Sequence, residues 1–236
     1  MTILFTNAKL VNPDSDLVEN GSILIRDGSI QEIFKGDPIA PPEGAEIIDC
    51  RGKFLAPGIV DIGVKVSEPG ERHKESFRSA GLAAAAGGVT TMVTRPDTTP
   101  AIDSPETLEF VTRRAASAAQ VRVKHMAALT RERAGREMVE IGFMIDAGAV
   151  AFTDCDHVIE NSKILSRCLT YARSLNALVV GHPQDPGLSR GAAVTSGAFA
   201  SLRGLPQVAP MAERMGRDRD LALVEMTGVR YHADQI

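Results

Sequence analysis

The chain changes rhythm near residue 56. Before that point apolar and polar residues alternate in short runs over 2–11 and 22–34, the period-two signature of strands. A polar turn, Asn12-Pro-Asp-Ser-Asp16, joins the two runs, and Asp27-Gly28 between apolar residues is a hairpin signal. A Pro/Gly/Asp linker from Lys35 to Gly44 leads to Glu46-Ile-Ile-Asp49 and Arg51-Gly-Lys-Phe-Leu-Ala-Pro-Gly58. Residues 1–55 are therefore expected to form a small β domain.

From Pro57 strands and helices alternate. Apolar runs at 58–66, 89–96, 121–129, 148–154, 177–183 and 228–236 predict strands, and 76–87, 105–118, 131–147, 159–175 and 210–227 predict helices. Repeated strand–helix–strand units imply an α/β parallel sheet with right-handed crossovers, whose closed form is the (β/α)8 TIM-type barrel. Six strand candidates do not close eight, so residues 56–236 are expected to form a partial barrel. Two explanations stay open: a fragment of a longer polypeptide, or a strand edge covered by another element.

Composition narrows the function classes. With 44% hydrophobic residues the chain can bury a substantial core, built from aliphatic residues because it has no Trp and two Tyr. Lys+Arg 26 against Asp+Glu 30 leaves a net charge of -4 and no basic footprint for nucleic acid. No signal-peptide pattern opens the chain, and no apolar run approaches the roughly 20 residues of a membrane span. Cys50, Cys155 and Cys168 form no CxxC pattern and are expected to be reduced thiols, so a cytoplasmic protein is expected.

The chemistry-bearing motifs lie at the strand ends. Residues 57–70, Pro-Gly-Ile-Val-Asp-Ile-Gly-Val-Lys-Val-Ser-Glu-Pro-Gly, resemble the first barrel strand of dihydroorotases in the metal-dependent amidohydrolase superfamily, Pro-Gly-x-x-Asp-x-His-x-His-x-Arg-Glu-Pro-Gly. The run from Ala83 to Asp103 resembles that family's second strand, with its Gly-Gly-x-Thr-Thr and Pro-x-Thr-x-Pro pieces. The resemblance spans essentially the whole chain and implies a small β-sandwich before an amidohydrolase barrel.

It also implies a degenerate site. Two histidines hold zinc on the family's first strand, and the matching positions are Gly63 and Lys65. A glycine has no ligand atom, and a lysine ammonium repels a divalent cation. Asp154, in Ala149-Val-Ala-Phe-Thr-Asp154, matches a metal-binding aspartate, and His182, in Gly181-His-Pro-Gln-Asp185, a ligand histidine. Each also has a plain structural reading, as a turn or cap residue and as a hydrogen-bonded strand-end histidine. Gln235 stands at the last ligand histidine, while His232 matches a non-ligand one. His157 and Lys163 are expected to be exposed bystanders. The family's substrate-carboxylate clamp is an arginine and an asparagine, matched by Ser67 and Asp97. An anion about 4 Å from Asp97 would cost roughly 4 kcal/mol at an effective dielectric of 20 unless Arg95 compensates. With neighbouring strand positions pointing into one barrel mouth, Lys65 is expected to pair with Asp154.

Three functions compete. The leading one is a catalytically silent dihydroorotase homologue of pyrimidine biosynthesis, without a cofactor, oligomeric, and acting as an assembly partner of aspartate carbamoyltransferase, a role the resemblance implies. The second is an active dihydroorotase or related cyclic amidase with an unusual metal site. The third is a ligand sensor without chemistry.

Overall fold

The computed structural model describes residues 1–14, 17–37 and 40–236. Parts of the expected 12–16 turn and 35–44 linker lie outside the described residues. The chain divides into two compact units, Met1–Gly58 and Ile59–Ile236.

In the first unit β1 (Thr2–Asn12), β2 (Leu17–Arg26) and β3 (Ser29–Lys35) form an antiparallel meander, with the Asp27-Gly28 turn between the last two. Both turn residues have positive φ, the conformation that a tight hairpin requires. β4 (Glu46–Asp49) and β5 (Phe54–Leu55) add in parallel to the other side of β1. Among the described residues, Leu4, Ala8 and Leu24 are its buried apolar ones.

The second unit runs β6 (Ile59–Val64), α1 (Phe77–Ala86), β7 (Val89–Thr94), α2 (Pro105–Ala118), β8 (Arg122–Ala127), α3 (Ile141–Asp146), β9 (Ala151–Phe152), α4 (Ser162–Ser174) and β10 (Leu178–Gly181). It continues through α5 (Pro186–Ser189), β11 (Val194–Thr195), α6 (Ala198–Arg203), β12 (Gln207–Val208), α7 (Met211–Thr227) and β13 (Arg230–Ala233). Six strands make one parallel sheet in the order β13-β10-β9-β8-β7-β6, so each expected strand is present and pairs with its neighbour in sequence. This is a partial (β/α) barrel.

Successive residues of these strands feed opposite faces, and both are apolar. Met92, Ala127, Phe152 and Val179 join the large core beneath the helices. Val93, Met126, Ala151 and Val180 make a second buried cluster across the sheet, as parallel strands require. Helix α2 starts where Ser104 accepts from Thr107 N and Pro105 fills the first turn; it buries Leu108, Val111 and Ala115 at helical spacing. In α4, capped by Asn161, the stripe is Leu165, Cys168, Leu169 and Ala172. Among the described residues no helix is long and apolar enough to cross a membrane.

One expectation needs correction. The stretch 131–147 is not one helix: a short 3-10 turn at Arg131–Arg133 is followed by extended chain and only then by α3. Glu132 and Arg133 are left-handed, and Thr130 Oγ1 accepts from Gly135 N at 2.8 Å, fixing a compact loop where helix was expected. Residues 186–208 hold the short elements α5, β11, α6 and β12, which no strong periodicity announced.

Candidate functional site at the strand ends

The carboxyl ends of parallel strands face one end of a barrel, where loops from several strands meet. The expected residues lie at or just beyond these ends: Gly63 within β6 and Lys65 and Ser67 after it, Asp97 after β7, Asp154 after β9, His182 after β10 and Gln235 after β13.

The β6 end is irregular. Its pairing with β7 shifts register between Ile62 and Val64, and Gly63 between them has φ +87°. Such a bulge interrupts the alternation that would set Gly63 and Lys65 on one face of the strand. Beyond it, Lys65 Nζ lies 3.0 Å from Asp97 Oδ2. The lysine side chain is 58% exposed and the aspartate side chain 3%. The expected Lys65–Asp154 pair is therefore not formed. Asp154 is already satisfied: its Oδ1 accepts from Leu129 N at 3.0 Å and Thr130 N at 2.9 Å, and Oδ2 accepts from the Thr130 hydroxyl. Burial raises the Asp154 pKa in spite of these donors. The geometry is that of a turn residue tying two loops together.

Asp97 carries a second cation. Arg95 Nη2 lies 3.3 Å from Asp97 Oδ2 and also donates to Asp156 Oδ1. Burial works against the Arg95 charge, yet the Asp156 hydrogen bond and the nearby carboxylates raise its pKa above the ordinary value. For Asp156, burial pushes upward, and the Arg95 bond outweighs it and holds the pKa low. The result is an alternating chain, Lys65–Asp97–Arg95–Asp156, whose formal charges cancel.

Cys155, His182, Ser67 and Gln235 lie at the same strand ends. Cys155 is buried with φ +58°, and burial, reinforced by Asp97, pushes its thiol up to about 11, so it stays protonated at neutral pH. Among the described residues, buried His182 Nδ1 has no hydrogen-bond partner, so the expected satisfied strand-end histidine is not found there. Ser67 is buried. Gln235 is exposed beyond β13, whose His232 is in register with Val180. Lys163 is exposed on α4, and the exposed His157 meets Arg133 O through Nδ1 at 3.0 Å.

Thr130 and Glu68 position this end of the sheet, and neither stood out in the sequence by role. Buried Glu68 accepts from Arg114 Nε at 2.6 Å and Phe77 N at 3.0 Å, linking the loop after β6 to α1 and α2. The Glu-Pro-Gly motif marked the residue but could not name its partners.

A family model described as Dihydro-orotase-like matches residues 52–236. The chain belongs to the dihydroorotase-like family. A dihydroorotase of Sulfurihydrogenibium sp. is 37% identical over 230 residues, covering 98% of this chain and 54% of that protein. A Pseudomonas putida "dihydroorotase-like protein" is 37% identical over 236 residues, covering 100% of this chain and 55% of that protein. The chain thus spans about half the length of the curated relatives it matches. Among solved structures, the L-hydantoinase (dihydropyrimidinase) of Arthrobacter aurescens superposes with TM-score 0.80 at 22% identity, covering 98% of this chain and 52% of that one. That likeness supports the amidohydrolase-type barrel.

As a donor set for the family's zinc, the five matched positions do not fit. Gly63 offers no atom, Lys65 brings a cation that is paired with Asp97, and Gln235 is an exposed amide. The Asp154 oxygens are taken by three donors. His182 alone keeps an unpartnered ring nitrogen, whereas catalytic zinc sites use three protein ligands.

Proposed function

We propose that this dihydroorotase-like protein is catalytically silent and serves as a structural partner of aspartate carbamoyltransferase in the cytoplasm. The single observation that carries this reading is the Lys65–Asp97 ion pair. It sets an ammonium where the family has a metal-binding imidazole, and it engages the residue at the substrate-clamp position. Amide hydrolysis in the family uses the metal to supply hydroxide at neutral pH and to polarise the carbonyl. The residues at this strand end offer no evident substitute: the thiol is protonated and the charges are spent on one another. An assembly role asks only for intact helices and loops, which persist when a pocket decays.

The test is reconstitution. The purified protein, mixed with aspartate carbamoyltransferase from the same source, is expected to co-elute at fixed stoichiometry and to restore transferase activity. A transferase fully assembled and active without it would overturn the assembly role.

A second reading keeps the activity of a dihydroorotase or related cyclic amidase. It is favoured by relatives named dihydroorotase at 37% and 34% identity and by the survival of Asp154 and His182. Elemental analysis together with a dihydroorotate assay separates the two.

A further inference from the structure

An open cavity of about 790 Å³ lies between the loops that follow β8, β9 and β10. Its charged lining is Arg133, Arg136 and Arg190 against Asp156 and Glu160, with His157 beside them. Neither Lys65 nor Asp97 lines it, and Asp156 is the one residue it shares with the ionic chain.

The charges do not cancel within the cavity. Arg190 Nη2 is 2.5 Å from Glu160 Oε1, and Asp156 is engaged by Arg95 from outside the lining. Arg133 and Arg136 have no carboxylate within 4.0 Å among the described residues. The Nε of Arg133 is in addition buried without an acceptor among the described residues. An arginine is always charged and offers five donors in a fixed fork, so a buried unmet nitrogen calls for an acceptor.

The loop that carries these arginines is fixed. Arg133 and Glu132 both have positive φ, a conformation that persists in such residues when the surroundings over-determine it. Here Asp103 Oδ2 accepts from Glu132 N at 2.8 Å, Thr130 Oγ1 accepts from Gly135 N, and His157 Nδ1 meets Arg133 O. Arg131, by contrast, lies outside the cavity and pairs with Glu137 at 3.3 Å. We infer that the cavity is a binding site for a small dianion, a phosphate group or a dicarboxylate, with the Arg133 fork as primary donor and Arg136 as second cation. Guanidinium forks match both anions in a bidentate manner.

Isothermal titration of the purified protein at low ionic strength, with inorganic phosphate in one arm and succinate in the other, tests this. Saturable binding of either anion is expected, weakened about tenfold or more in Arg133→Gln and in Arg136→Gln, the loss expected for a charge-assisted hydrogen bond. Arg131→Gln removes the same charge from the same loop outside the cavity and is expected to bind as the parent does. Phosphate alone would assign a phosphorylated ligand, succinate alone a dicarboxylate. If Arg133→Gln fails to fold, the more exposed Arg136 still decides the question. No saturable binding of either anion, or equal weakening in Arg131→Gln and Arg136→Gln, would overturn the site.

Discussion

Asp97 receives the Lys65 ammonium at 3.0 Å and the Arg95 guanidinium at 3.3 Å on one carboxylate oxygen, while its other oxygen is buried without a partner among the described residues. Two cations on one buried oxygen offset the cost of placing a carboxylate beyond the end of β7. They also make Lys65 the exposed, replaceable half of the arrangement.

Replacing Lys65 by Met is therefore expected to destabilise the protein by about 0.5–1 kcal/mol, because the ammonium is more than half exposed and Arg95 remains on the same carboxylate oxygen. Asp97→Asn in the Lys65→Met background should recover part of that loss. Urea unfolding of the single and double variants measures the coupling, and additive effects would show that the pair contributes nothing.

Gly63 meets open space where a side chain would begin, so its constraint is φ +87° alone. Gly63→Ala should cost about 1 kcal/mol through backbone strain. A stability equal to the parent's would mean that the bulge relaxes freely. A histidine grafted there inherits the same strain.

His125 is 2% exposed, its Nδ1 2.7 Å from Thr94 Oγ1 and its Nε2 unpartnered among the described residues. Burial, with a smaller effect from Lys124, pushes its pKa down to about 4. The folded state thus resists a proton that the unfolded chain takes up below about 6.5, so stability is full above that pH. It declines as the pH falls from about 6.5 toward 4, by a total on the order of 3 kcal/mol. Unfolding midpoints across that window should fall for the parent and stay flatter for His125→Phe.

Glu68 extends the acid sensitivity. Burial would raise its pKa, but the bonds from Arg114 and the Phe77 amide outweigh burial and depress it. Its contribution is present above the unfolded value near 4.5 and is lost as pH falls through the lower folded value. Glu68→Gln should be less stable than the parent at neutral pH and should converge with it in acid. A constant gap at every pH would show that the ionic contacts are not its source.

Thr130 holds Asp154 with its amide and hydroxyl and anchors Gly135 as well. Thr130→Val removes the hydroxyl contacts and is expected to cost about 2 kcal/mol or more. Thr130→Ser, which keeps the hydroxyl, should stay near the parent.

Much of the barrel was legible because its signals are local. The span of α2 follows from Ser104, Pro105 and the Leu108/Val111/Ala115 stripe, and the end of α7 from the left-handed Gly228. The loop at 131–140 was not, because its shape depends on Thr130, Asp103 and His157, which come from different parts of the chain. Likewise, sequence brought Lys65, Asp97 and Asp154 to one set of strand ends but could not decide which carboxylate meets the ammonium. That choice was made by the Leu129 and Thr130 donors, which fill Asp154, and by the bulge at Gly63. The arginine cavity had no sequence signature, since its lining comes from three loops.

The decisive measurement is turnover of dihydroorotate and of carbamoyl aspartate by the purified protein with zinc supplied, alongside its metal content. With Lys65 and Asp97 bound to each other, no rate above the uncatalysed background and no stoichiometric metal are expected. Robust hydrolysis by a metal-loaded protein would contradict the account.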